Sequence, residues 1–477
     1  VTVDPAPTGI LAYGAYLPHY RLERSRITEA LGSGGGRGTR SVASYDEDVN
    51  SMGVEAARVA LRGTDIVPDV LTLATTDPPY LDKTNATTIH AALDLDPGVM
   101  ATDAVGGPRS GLAQFILAAA SPWWTTLSVA SDIRTGRPGS AEEALGGDAA
   151  AAFLCGSDAS GDLLARYLGS ASVSREFLDR WREPGNHYSR VWEERFAEGI
   201  YTEMALTALE RALAKAGLGT EGPDHLVVSG IHARARRTVT RRLAASGLEG
   251  RIADDLAGVV GSMGAADAGV SLAAVLDRAN PGETIAVLSL SDGADAIVLR
   301  TTDHLTAGRP APSVADQIES GDTGLDYAKF LTWRGFLDRE PPRRPDPDRP
   351  AGPPSHRSEH WKFGFIGSRD RSTGAIHLPP QRVSMDGGAV DDMEPVPMAD
   401  VGATIATFTV DRLAYSMSPP VVAAVIDFDG GGRFQCEMTD VDPDRVAIGD
   451  RVEMTFRRLF TADGVHNYFW KARPARS

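Results

Sequence analysis

Between residues 8 and 300 the apolar positions of this 477-residue chain switch repeatedly between two spacings. Blocks with apolar residues three and four apart have the period of a helix with one buried face. Short runs that are apolar throughout read as strands covered on both sides. The segments DVNSMGVEAARVALRG (48–63) and YTEMALTALERALAKAGLG (201–219) predict amphipathic helices closed by glycine. Each leads to a short apolar strand, DVLTLATTD (69–77) and DHLVVSGIH (224–232), then to a polar turn and another helix. Glycine-rich turns with helices follow at 105–120 and 260–277, and each is succeeded by an apolar strand, TTLSVASD (125–132) and TIAVLSLSD (284–292). The same βαβαβ plan written twice predicts a layered α/β fold built by duplication.

The pattern changes after residue 300. SVADQIESGDTGLDYAKFLTWRGFLD predicts helices, and REPPRRPDPDRPAGPPS, dense in proline and charge, predicts an extended linker. From 361 onward short alternating runs broken by Asp-Gly and Gly-Gly turns predict a small all-β barrel. The expected organisation is therefore an α/β domain over 1–300, a helical segment and linker over 301–360, and a β domain over 361–477.

Composition narrows the role. A formal net charge of −16 argues against nucleic acid or an anionic membrane as the main partner. No apolar run approaches the ~20 residues of a membrane helix, and VTVDPAPTGILAYG has no basic leader region. With only Cys155 and Cys436, far apart in sequence, a disulfide framework is excluded, and a reducing cytoplasm is the expected location.

The stretch DAVGGPRSG (103–111) joins a strand-ending aspartate, paired glycines, a polar turn and a third glycine to an apolar helix. Together with GILAYGAYLPHYRL, MGVEAARVAL, LSVASDIRTGRPGSAEEALGGDAAAAFL, IHARARR and GSMGAADAG, in that order, it resembles the HMG-CoA-synthase and 3-oxoacyl-synthase III branch of the thiolase superfamily over nearly all of residues 8–300. The C-terminal region resembles the acyl-CoA-associated OB-fold family (DUF35), in which a zinc ribbon precedes the barrel. Here these would be KFGFIGSRDRSTGAIHLPPQRV and ATFTVDRLAY.

That resemblance implies a nucleophile loop of the form D-x-x-x-x-C-x-x-G, which places Pro108 in the cysteine seat and Gly111 at the closing glycine. A proline has no thiol to attack a thioester and no N–H to donate to an oxyanion. His232 falls at the family's histidine, where it would polarise a thioester carbonyl or move a proton; the plainer reading is a structural histidine at a strand end. Ser262 takes the asparagine seat, with one hydroxyl donor in place of an amide, or simply eases a glycine-rich turn. Asp77 stands near the family's acid/base glutamate, though an aspartate before Pro-Pro is also a turn former. Arg237, five residues after His232, is the candidate for CoA phosphate, and Arg109 for a carboxylate or thioester oxygen. Ser110 reads as a helix-start residue. The ribbon's ligand seats read Asp370, Thr373, Ser384 and Gly387, so no zinc and no other cofactor is expected beyond a coenzyme A thioester as ligand or substrate.

Three functions fit these residues. The first is an acyl-CoA-binding, non-condensing subunit or scaffold for a thiolase-like partner protein. The second is a cysteine-independent C–C lyase performing retro-aldol cleavage of a 3-hydroxyacyl-CoA. The third is an acyltransferase with another nucleophile. The resemblance also implies a homodimer.

Overall fold

The computed structural model describes residues 6–219, 221–343, 345 and 347–476. They form two compact units. The first comprises Val1–Ala43, Glu55–Thr87 and Pro97–Phe330; the second comprises Ser44–Val54, Thr88–Asp96 and Leu331–Ser477. The second unit thus begins at Leu331 rather than 361, and takes in two short segments from early in the chain.

The first unit is organised by one nine-stranded sheet. Its strands are β1 (Thr8–Tyr16), β2 (Val70–Thr75), β3 (Met100–Val105), β4 (Thr126–Asp132), β5 (Ala149–Ser157), β6 (Ala165–Val173), β7 (His225–Gly230), β8 (Thr284–Leu290) and β9 (Ala294–Thr301). They lie in the order β7-β8-β9-β6-β1-β5-β4-β2-β3. The duplication read from the sequence is visible in the pairing. On one side β2 is parallel to β3 and β4, and β4 and β5 are antiparallel. On the other, β7 and β8 are parallel and β8 and β9 antiparallel. Where the second half lacks a counterpart of β3, a single parallel bridge joins Leu226 to Ile252.

Helices α1 (Val49–Leu61), α2 (Arg109–Ala119), α3 (Glu194–Lys215), α4 (Ala233–Leu243) and α5 (Asp267–Leu276) carry the helical pattern of the sequence. α2 and α5 bury Leu112, Phe115, Val270 and Leu272 in one cluster with Tyr13, Phe153 and Ile297. Each such side chain contributes about 1.5–3 kcal/mol relative to exposure. Close approach fixes the closing glycine of the loop: a Cβ on Gly111 would lie 1.8 Å from the Ala265 carbonyl oxygen. Under α2 the apolar packing leaves about 10 Å³ of open space, bounded by Gly111, Phe115, Phe153 and Leu272.

The second unit holds a three-stranded sheet of β10 (Ile366–Asp370), β11 (Ile376–His377) and β12 (Met393–Pro397), and a closed barrel. The barrel strands are β13 (Ala403–Asp411), β14 (Val421–Phe428), β15 (Arg433–Met438), β16 (Arg451–Ala462) and β17 (Val465–Pro474), closing in the order β13-β14-β15-β17-β16. Strict alternation along β14 buries Val422, Ala424, Ile426 and Phe428, as the period-2 pattern requires. In the ribbon the Asp370 carboxylate accepts the Ser372 N–H at 2.8 Å and its hydroxyl at 2.7 Å. His377 Nε2 accepts the Met385 N–H at 2.9 Å. Asp370 Oδ2 and His377 Nδ1 have no hydrogen-bond partner among the described residues, but the other ligand seats hold Thr373, Ser384 and Gly387, and these residues do not fit a zinc ion, which needs four ligands, mostly thiolates. Among the described residues no group of three or more His, Cys, Asp or Glu is placed to hold a metal, and no helix is long and apolar enough to cross a membrane.

Candidate functional site

The loop between β3 and α2 ends at Pro108, which sits in helical conformation (φ −60°, ψ −21°) at the head of α2. Pro108 lines a cleft of about 360 Å³ together with Asp77, Arg134, Arg180, Arg182 and Asp292. Ser110 is committed locally, its hydroxyl donating to the Gly107 carbonyl at 2.8 Å. Neither thiol reaches the cleft: Cys155 lies inside β5 and Cys436 inside β15. Burial pushes the Cys155 thiol far up, and pushes Cys436 up to about 12.

His232 and Ser262 line a small neighbouring pocket of about 30 Å³, which shares Arg134 and Arg180 with the cleft. The Asp77–Pro108 pair and the His232–Ser262 pair are therefore on two sides of the same arginines. His232 caps α4, its Nδ1 accepting the Ala235 N–H at 3.0 Å. With Nδ1 an acceptor, the neutral ring carries its proton on Nε2. That Nε2, on a residue 7 % exposed, has no hydrogen-bond partner among the described residues, and neither has the buried Ser262 Oγ. The imidazole packs against the ring of Tyr201 at 5.3 Å.

Buried carboxylates hold these loops in place. Asp132, at the end of β4, accepts from the Thr76 N–H at 3.0 Å and the Ala265 N–H at 2.9 Å. Asp267, at the start of α5, accepts from the Gly230 N–H and the Met263 N–H, both at 3.0 Å. It thereby joins the turn leading to His232 to the turn carrying Ser262. Burial pushes both carboxyls up, against the opposing pull of Arg134 on Asp132 and of Arg236 on Asp267.

Arg134 and Arg180 line both pockets, and Arg182 lines the cleft. Arg180, from a hairpin of two-residue strands (Arg180–Trp181 and Arg190–Val191), grips both oxygens of Glu142, one of them at 2.6 Å. Arg134 donates to Thr76 Oγ1 at 3.0 Å and lies 3.8 Å from Glu142. Arg182 donates to Asp77 Oδ1 at 3.1 Å and to the Thr76 carbonyl. Burial alone would raise the Glu142 carboxyl, but the Arg180 hydrogen bond and the charges of Arg180 and Arg134 hold it below its ordinary range. None of these side chains except Asp77 was singled out by the sequence reading.

The two arginines proposed for CoA lie elsewhere. Arg109 forms a two-point ion pair with Asp295, at 2.7 and 2.9 Å, and does not line the cleft. Arg237 lines a separate cavity of about 250 Å³ with Val227, Thr240 and Asp255. Five residues along a helix turn it about 140° away from His232.

This chain is 30 % identical over 348 residues to a hydroxymethylglutaryl-CoA synthase of Thermococcus sibiricus, with 69 % of this chain and 96 % of that protein covered. It belongs to the hydroxymethylglutaryl-CoA synthase family. A family member from Pyrococcus horikoshii is 29 % identical over 347 residues, covering 68 % of this chain and 95 % of its own length. Among solved structures, HMG-CoA synthase complexed with CoA superposes with a TM-score of 0.59 at 17 % identity, over 68 % of this chain and 90 % of that one. The 3-oxoacyl-(acyl carrier protein) synthase III of Pseudomonas aeruginosa gives 0.53 at 21 % identity, over 62 % and 99 %. Residues 395–457 match the family model for the C-terminal OB-fold domain of ChsH2, which falls on the barrel. The chain is thus a synthase-family, thiolase-like fold followed by an OB-fold domain, and both parts agree with the resemblance read from sequence.

Proposed function

We propose that this family member binds a coenzyme A thioester in the Pro108 cleft without forming an acyl-enzyme, as a non-condensing subunit working with a thiolase-like protein. The observation that carries the proposal is Pro108 itself, at the head of α2 and on the wall of the cleft. Nearby candidates do not replace a thiol: the Ser110 hydroxyl is bonded to Gly107, and both cysteines are buried in strands with their ionisation suppressed. The relatives support the ligand class, since one solved synthase is complexed with CoA.

The remaining groups suit a carbonyl rather than a nucleophile's proton. Among the described residues His232 Nε2–H and the Ser262 hydroxyl are donors without partners, so a thioester oxygen placed between them would satisfy both. The same donors would stabilise the enolate left by retro-aldol cleavage of a 3-hydroxyacyl-CoA. In that second reading Asp77 takes the hydroxyl proton as the C–C bond breaks, which requires Arg182 to release its Oδ1.

Intact-mass measurement after incubation with acetyl-CoA, alongside calorimetric titration of the same ligand, tests the main reading. Binding without an acetyl adduct is expected. A stable adduct on any residue, or no binding of acetyl-CoA or CoA, overturns it. Release of an aldehyde or ketone from a 3-hydroxyacyl-CoA would select the lyase reading instead.

A further inference from the structure

Two barrel side chains, Arg457 on β16 and Lys471 on β17, are cations buried to about the same degree as the aromatic core, with 1 % and 2 % of the side chain exposed. A charge so placed needs partners of opposite sign. The barrel strands and their loops supply part of the set: Asp440 lies 2.6 Å from Arg457, but it is shared with Arg476 at 3.2 Å, and Glu437 lies 3.0 Å from Lys471. The rest comes from SYDED, residues 44–48. Asp46 meets Lys471 at 3.0 Å, Glu47 meets Arg457, and the Tyr45 hydroxyl accepts from Lys471 Nζ at 3.2 Å.

Main-chain and neutral contacts extend the match. The register of the β16–β17 hairpin slips between Arg458 and Phe460, and at that point the Arg458 N–H donates to the Asp46 carbonyl at 2.9 Å. The Tyr468 hydroxyl donates to Asp48 at 2.6 Å. Burial alone would raise the Asp46 carboxyl, but Lys471, Arg457 and a hydrogen bond from Ser44 hold it at about 2. Asp46, Glu47 and Asp48 thus each meet a donor or cation on the barrel.

We propose that the β16–β17 hairpin is a docking surface for an acidic Tyr-Asp-Glu-Asp turn, that residues 44–48 of this same chain are its occupant, and that this contact holds the barrel to that segment even when the covalent linker is cut. The complementarity is specific in kind. Two buried cations, a free main-chain donor at the bulge and a tyrosine hydroxyl meet two buried carboxylates, a carbonyl and a third carboxylate in one five-residue turn.

The test uses the full chain with a site for a sequence-specific protease inserted after the exposed Glu340. After cleavage, wild-type pieces 1–340 and 341–477 are expected to co-elute in size-exclusion chromatography at micromolar concentration. The double substitution Asp46→Asn with Glu47→Gln is expected to weaken their association at least tenfold. Asp48→Asn removes a charge without leaving a buried cation unpaired, so it keeps the experiment decisive if the double variant fails to fold; a loosening of severalfold is expected. Asp427→Asn, at the exposed ion pair with Arg433, serves as the control and leaves association unchanged. Separation of the wild-type pieces, undiminished association in the 46, 47 and 48 variants, or equal loss in the Asp427 control overturns the proposal.

Discussion

Replacing Arg180 by methionine removes one of the two cations shared by the Pro108 cleft and the His232 pocket while keeping most of the side-chain volume. Arg180 is 12 % exposed and Glu142 29 %, and both Glu142 oxygens rest on the guanidinium. After the substitution Arg134, at 3.8 Å, is the arginine left near that carboxylate among the described residues. Breaking a fully buried pair by removing one partner costs about 3–5 kcal/mol; the partial exposure of Glu142 reduces this to roughly 2–3 kcal/mol. At roughly 2 °C per kcal/mol for a unit of this size, differential scanning fluorimetry of Arg180→Met should show a fall of about 4–6 °C. The double variant Arg180→Met with Glu142→Gln should recover more than half of it, because no unpaired charge then remains. The gap between wild type and Arg180→Met is also pH-dependent. Glu142 is held below its ordinary value of 4.5, so the stability it contributes as a carboxylate is fully present above that value. It is lost as pH falls through the lowered folded value, and the two melting curves should converge in acid. An unchanged melting temperature in Arg180→Met, or a double variant no better than the single, would refute the account of Arg180 and Glu142 as a buried pair.

Three other outcomes are expected. His232→Ala should leave binding of free CoA unchanged while weakening acetyl-CoA by about tenfold, the loss of roughly one hydrogen bond to the thioester oxygen, read by calorimetry. Acetyl-CoA should bind more tightly than hexanoyl-CoA, because only about 10 Å³ is open under α2 between Phe115 and Phe153; Phe115→Ala should narrow the difference in competition titrations. The strand β3 ends the sheet with Met100 and Val105 more than half exposed, so the protein should form a two-fold dimer along that edge. Light scattering should give twice the protomer mass for wild type and a shift toward monomer for Val105→Lys.

Much of the architecture was legible because it depends on periodicity. The helices at 48–63 and 201–219 and the strands between them appear where apolar spacing places them, although α3 starts seven residues earlier, at Glu194, in a stretch with little apolar signal. The loop at Pro108 was legible because glycines and an apolar helix frame it. The arginine cluster was not. Arg180 and Arg182 lie on a hairpin whose strands are two residues long, too short for any period to register. Glu142 sits inside Ser-Ala-Glu-Glu, which reads as the start of a short helix, and Ser140 does cap that helix through Glu143. Spacing along a helix sets the face, so Arg237, five residues from His232, lines a different cavity. The place of residues 44–54 in the second unit was not legible, because Asp46 and Glu47 lie some four hundred residues from Arg457 and Lys471 and no local pattern announces the pairing.

That separation has a consequence during synthesis. Asp46 leaves the ribosome 411 residues before Arg457, the strand residue it must meet. At about 5–20 residues per second the acidic turn waits roughly 20–80 s for its barrel. Through that interval the start of α1 is continuous with a domain able to fold, yet Asp46, Glu47 and Asp48 still face water. The barrel, completed last, then finds a ready-made counter-charge instead of closing around unpaired cations. Interrupting translation within β16 would therefore leave a folded thiolase-like core carrying an exposed acidic turn, a defined species that a chaperone or a protease could recognise.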